Sequence, residues 1–114
     1  MTEECIFCQI VAGELPSKQV FADESVLAFQ DINPIAPSHL LVVPRSHATL
    51  VADVTAEQEE LLGHLVRIAA QVAAEHGLSE DGYRLTINQG ADAGQIVDHL
   101  HVHVLGGRPL GRMG

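Results

Sequence analysis

The run His99-Leu100-His101-Val102-His103 constrains this chain more than any other stretch. Side chains alternate between the two faces of a strand. The three imidazoles therefore share one face, and Leu100, Val102 and Val104 share the other. The aliphatic face suits packing on a helix. The imidazole face looks outward, or into a cleft or a partner. Same-face neighbours lie roughly 6.5 Å apart and the outer two roughly 13 Å apart. Two alternate imidazoles can share one metal ion, but a third from the same strand fits such a site less easily. The other chemistry open to them is nucleophilic. A neutral imidazole attacks phosphorus near pH 7 without a strong base, and water can cleave the phospho-imidazole that forms. The flanking imidazoles can donate to phosphate oxygens and to the leaving group. His101 suits the nucleophile because it has a neighbour on either side.

The remaining pattern predicts an α+β fold. Cys5 to Val11 has helical spacing (Ile6, Phe7, Ile10, Val11) and ends before Gly13 and Pro16. Val20 to Ala22 and Val26 to Phe29 read as strands at hairpin distance. Asp31 to Ser38 is a loop, because it carries Asn33-Pro34 and Pro37. His39 to Val43 reads as a buried strand closed by Pro44. A long helix is expected over roughly Thr55 to His76. It opens on the capping-box form Thr55-Ala56-Glu57-Gln58 and carries the stripe Leu61, Leu65, Ile68 and Val72, widened by Leu62, Val66 and Ala69. Tyr83 to Ile87 and His99 to Leu105 complete five strands. Several joins are too short for a parallel crossover, so the sheet is expected to be antiparallel.

Bulk properties narrow the function. A chain of 114 residues makes one domain, taken here as 1–114. Its net charge of −9 lacks the basic footprint that nucleic acid or an anionic membrane requires. A small anion in a donor-rich pocket stays open. No apolar run is long enough for a signal region or a span, so the expected compartment is the cytoplasm. There the two cysteines, Cys5 and Cys8, point to a metal or a redox couple before a structural disulfide. A C-x-x-C pair supplies two of the four ligands that tetrahedral zinc needs.

His99-Leu100-His101-Val102-His103-Val104-Leu105 resembles the signature of the histidine-triad (HIT) superfamily. Further segments match in order and spacing: Cys5 to Cys8, Phe29 to Pro34, Pro37 to Pro44, Asn88-Gln89-Gly90, Gly94-Gln95 and Gly106-Gly107-Arg108. The likeness covers nearly the whole chain. Its compact length and Gly-Gly-Arg favour the Hint-like nucleoside phosphoramidase branch.

The resemblance implies that His101 attacks the α-phosphorus of a nucleotide and forms a nucleotidyl-histidine. It makes His103 and His39 phosphate-contacting histidines. It makes His99 an orienting residue, its backbone carbonyl holding the His101 tautomer. Asn88 and Gln95 contact the α-phosphate region, and Asp31 binds ribose. Ile6, Phe7, Ile10, Phe29, Ile32 and Leu41 match or neighbour base-pocket positions. No cofactor is implied for the chemistry. A structural zinc is implied at Cys5, Cys8, His47 and His99, and so is a homodimer with a shared sheet.

The implied reaction is hydrolysis of a purine nucleoside 5′-phosphoramidate, with an AMP-like ligand. Alternatives are dinucleoside polyphosphate hydrolysis, a nucleotide-binding regulatory protein with weak activity, and a metal-dependent His-x-His enzyme. Two positions depart from the pattern. Ile96 stands where some Hint proteins carry a serine donor near the leaving group, and Asp98 stands where Tyr or Phe is usual. The tail after Arg108 is short. Leaving-group preference is therefore what the resemblance carries least.

Overall fold

The five strand-forming runs lie at β1 (Gln19–Ala22), β2 (Val26–Gln30), β3 (Ser38–Pro44), β4 (Tyr83–Thr86) and β5 (Val102–Gly106) in the computed structural model, which describes residues 5–113. The acidic start Met1–Glu4 and the terminal Gly114 lie outside the described residues. The strands form one sheet in the order β1-β2-β3-β5-β4, and every neighbouring pair is antiparallel. The β1–β2 hairpin closes on Asp23, whose Oδ1 accepts from the backbone N–H groups of Ser25 and Val26, both at 2.8 Å. This is a side chain mimicking a turn.

The long helix α2 spans Glu59–Glu75, preceded by a 3-10 turn over Ala56–Gln58. The Thr55 N–H donates to Gln58 Oε1 at 3.1 Å, as the capping-box pattern requires. Leu65, Ile68, Ala69, Val72 and Ala73 recur at helical spacing and are buried against Val26, Ala28, Leu40, Val42, Leu100, Val102 and Val104. Val66, expected in this stripe, is 45% exposed, and Ala73 is buried with the stripe instead.

The opposite face of the sheet is also covered. The short helix α1 (Ile6–Val11) lays Phe7 and Ile10 on Leu27, Phe29, Leu41 and Val43. The histidine face therefore does not look into open solvent. It lies beside a second small core that α1 roofs.

The last strand is shorter than its alternation suggests. Pairing puts Val42 opposite Val102, and the same register would set Leu100 opposite Pro44. Pro44 has no N–H, so the ladder cannot continue. Instead the Leu100 N–H donates to the Ala48 carbonyl, and the Pro44 carbonyl is taken by the His99 ring at 2.9 Å. The faces are kept through this irregular stretch. Leu100 packs with α2, while His99 and His101 lie towards Phe7.

Gly106-Gly107-Arg108 then turns the chain against the β2–β3 loop. A Cβ on Gly107, at φ +96°, would meet Pro37 Cβ at 2.8 Å. Only glycine suits both that conformation and that approach. Arg108 Nη2 donates to the Ile35 carbonyl at 3.0 Å, holding the loop beside the histidines.

Candidate functional site

Three segments meet around His101 and His103. The β2–β3 loop brings Asp31, Ile32 and Ile35. Helix α1 brings Ile6 and Phe7. The loop between β4 and β5 brings Asn88, Gly94, Ile96 and Val97. His39 and Leu41 of β3 join the two histidines at the floor of a cleft of about 400 Å³. That volume suits a small-molecule ligand.

Backbone partners fix the proton positions. A carbonyl oxygen can only accept, and His101 Nδ1 lies 2.6 Å from the His99 carbonyl. The proton of His101 is therefore on Nδ1, and Nε2 presents a lone pair. A backbone N–H can only donate, and that of Ile35 points at His39 Nδ1 from 3.2 Å. The proton of His39 is therefore on Nε2, 2.9 Å from His103 Nδ1 and 3.3 Å from Asp31 Oδ2. His103 Nδ1 accepts it, so His103 carries its own proton on Nε2. The ring centroids of His101 and His103 are 4.8 Å apart, far closer than the strand spacing suggested. A bare nitrogen and an N–H donor thus stand side by side.

Electrostatics keep these rings neutral. Burial holds His101 below the ordinary histidine range, against the opposing pull of its bond to the His99 carbonyl. Burial also lowers His39, although the Asp31 carboxylate opposes it. Burial first, then the neighbouring His101 and His39, push His103 down to about 4. Near pH 7 the lone pair of His101 is available for attack. Phe7 meets the His101 ring edge-on, with centroids 5.0 Å apart, and shields it.

A second cluster lies behind the first. Cys5 is the N-cap of α1, and its Sγ accepts from the Cys8 N–H at 3.3 Å. N-cap and third helical position bring the two sulfurs together. His99 Nδ1 lies 3.3 Å from Cys5 Sγ and 3.4 Å from Cys8 Sγ, and His47 Nδ1 lies 3.2 Å from Cys8 Sγ. All four donor atoms fall within 4.8 Å of one another. Sulfur and nitrogen ligands on one tetrahedral zinc would sit roughly 3.5 Å apart. His99 gives its Nε2–H to Pro44, which leaves Nδ1 bare towards the sulfurs. That carbonyl is the outer partner a metal-bound histidine ordinarily has. The residues therefore fit a tetrahedral thiolate–imidazole site. Burial and the neighbouring Cys5 push the Cys8 thiol up to about 11, so a cation must displace its proton.

Asp31, His39 and His103 also bring three donor atoms within 4.8 Å. This set fits a metal poorly. The Ile35 N–H already occupies His39 Nδ1, which keeps a proton on the nitrogen that would have to ligate. It is built as a hydrogen-bond chain.

Not every expected residue reaches the cleft. Phe29 and Ile10 are buried beneath it in the α1 core. Gln95 is absent from the lining and is occupied by the backbone. Its Oε1 accepts from Gly90 N–H at 2.8 Å, and its Nε2 donates to the carbonyls of Thr49 at 3.0 Å and Val97 at 3.3 Å. It braces the loop that carries Asn88 and Ile96. Nothing in the side-chain pattern marks Ile35, whose N–H sets the hydrogen-bond chain, since a backbone donor leaves no mark there. His64 pairs with Asp23 at 2.6 Å and His76 caps Val72 at 2.9 Å, and neither lines the cleft.

The HIT domain family model matches residues 12–110. The purine nucleoside phosphoramidase of Escherichia coli (strain K12) is 49% identical over 113 residues, covering 99% of this chain and 95% of that protein. A HIT family hydrolase from Legionella pneumophila Philadelphia 1 superposes with a TM-score of 0.93 at 45% identity, covering 96% of this chain and 99% of the other. A histidine triad protein from Clostridium difficile gives 0.91 at 42%, covering 96% and 95%.

Proposed function

As the chain belongs to the HIT domain family, we propose that it hydrolyses the P–N bond of purine nucleoside 5′-phosphoramidates through a nucleotidyl-His101 intermediate. The observation that carries this reading is the opposed pair of nitrogens. His101 Nε2 offers a lone pair, and His103 Nε2 offers a proton beside it.

In the first step His101 Nε2 forms a bond to the α-phosphorus. The P–N pair leaves with nitrogen, which takes a proton from His103. His103 acts as the acid once a second proton sits on its Nδ1, with the His39 Nε2–H turned to Asp31 Oδ2 instead. The bound phosphate anion favours that charge and offsets the burial that opposes it. In the second step water adds to phosphorus, and its proton returns to His103. The P–Nε2 pair returns to His101, and the nucleoside monophosphate is released. Protons balance over the cycle, with His103 first acid and then base.

Asn88 and the His39–His103 chain serve as donors to the phosphate oxygens where charge develops. Asp31 accepts from the ribose hydroxyls, and Ile6, Ile32 and Leu41 give the base apolar contacts. Zinc at Cys5, Cys8, His47 and His99 ties α1 to the catalytic segment and takes no part in the steps. Neither cysteine is in a disulfide, which leaves both sulfurs able to ligate zinc. Among the described residues, no helix is long and apolar enough to cross a membrane. The homodimer would extend the sheet at one of its edges, β1 or β4, and light scattering reads it.

The test is AMP release from adenosine 5′-phosphoramidate, with a dinucleoside triphosphate as the comparison substrate. Turnover of the phosphoramidate well above the dinucleotide is expected. The reverse order would replace this reading with the dinucleotide one.

A further inference from the structure

We propose that the leaving amine carries an apolar substituent, selected by Ile96 and Ile35 at the mouth of the cleft. The inference rests on the phosphoramidase reading above. In-line displacement puts the leaving group on the side of phosphorus opposite the nucleophile. His101 is at the floor, 6% exposed, with Nδ1 turned to the backbone. The leaving nitrogen therefore points to the mouth. The P–N electron pair goes with it, the proton comes from His103, and the amine departs past the mouth residues.

Of the lining aliphatics open to water, Ile6 and Ile32 are assigned to the base, which leaves Ile35 and Ile96. Ile96 is 91% exposed and Ile35 is 66% exposed, and both line the cleft. Neither belongs to either hydrophobic core. Both sit on braced backbone. Gln95 pins the Ile96 loop at three points, while Val97 turns inward against the α1 core and leaves Ile96 outward. Ile35 is held through its N–H by His39 and through its carbonyl by Arg108.

Among the described residues the carboxylate in the lining is Asp31, assigned to ribose. Asp98, close to Ile96 in sequence, is not part of the lining. An apolar group on the amine would cover the two isoleucines and remove their surface from water. On the Asn88–Val97 wall the polar side chain in the lining is Asn88, assigned to the phosphate, and the Asp92 carboxylate lies outside the lining.

The experiment measures kcat/KM for three adenosine 5′-phosphoramidates with unsubstituted, phenethyl and 2-hydroxyethyl nitrogen. The two substituted amines are of similar basicity, so their ratio reads contact with the mouth. No turnover of any of the three defeats the phosphoramidase reading itself. Given turnover, the phenethyl substrate is expected to exceed the hydroxyethyl one by about tenfold, the low end for a hydrophobic contact. In Ile96→Ser that ratio falls towards one, with a smaller fall in Ile35→Ser. Ile96→Asp shifts preference to a 2-aminoethyl substrate. A ratio near one in the unaltered protein overturns the proposal, as does a ratio unchanged in both serine variants. A ratio near one together with a dimer weakened by Ile96→Ser assigns the isoleucines to a contact between copies instead.

Discussion

Two clusters of histidine lie back to back in this chain, and they differ in where their protons sit. Around Cys5 and Cys8, the Pro44 carbonyl takes the His99 proton and leaves a lone pair turned towards two sulfurs. Around the cleft, the His99 carbonyl and the Ile35 N–H set a chain in which one nitrogen is bare and the next carries a proton. The residue type is the same. Converging lone pairs suit a cation, and alternating donors and acceptors suit proton and phosphoryl transfer. His99 belongs to both clusters, its ring to the first and its carbonyl to the second.

If this division is correct, damage to the clusters separates. His103→Ala is expected to lower turnover by about 10²–10⁴-fold, the range for losing a general acid, while metal content stays unchanged. Metal analysis alongside steady-state kinetics checks it, and a His103→Ala protein without metal would break the division. Cys5→Ser keeps an oxygen at the N-cap, so α1 retains its cap. It is expected to lose the zinc and to lower Tm by at least about 5 °C, the scale of a lost kilocalorie or more in a chain of this size. Turnover should fall far less than in His103→Ala. Equal loss of turnover in both variants would merge the two clusters into one.

The pH dependence of stability sharpens the same contrast. An unfolded histidine titrates near about 6.5, whereas His103 in the fold titrates near 4. Between those values the unfolded chain binds more protons. Stability is therefore full above about pH 6.5 and is lost as pH falls towards 4. His103→Gln should flatten this loss in urea melts across that window. The smallest expected effect belongs to Gln95→Ala. It removes three hydrogen bonds from the loop, worth about 1–3 kcal/mol together in urea unfolding. Its catalytic loss should come through a weaker KM, since Gln95 does not line the cleft.

Much of this was legible in the sequence for a physical reason. Alternation told which side of the chain Leu100 and Val102 face, because a strand's side-chain period survives even where its ladder does not. Capping and helical spacing placed α2, and the C-x-x-C pair marked the two cysteines that the fold brings to His47 and His99. Three features were not legible. The ladder stops at Leu100 because its partner position is Pro44, and register follows only from the assembled sheet. Phe29 and Ile10 match or neighbour base-pocket positions, and which such residues line a cleft and which lie beneath it follows only from where α1 settles on the sheet. The tautomers depend on a carbonyl and an N–H, which every residue supplies.

The central claim is that His101 Nε2 bonds to phosphorus. A single turnover with adenosine 5′-phosphoramidate, stopped in base and digested for mass spectrometry, tests it most directly. The expected result is a nucleotidyl group on His101 alone that decays as AMP appears, with neither seen in His101→Ala. An adduct on another residue, or AMP formed by His101→Ala at the unaltered rate, would contradict it.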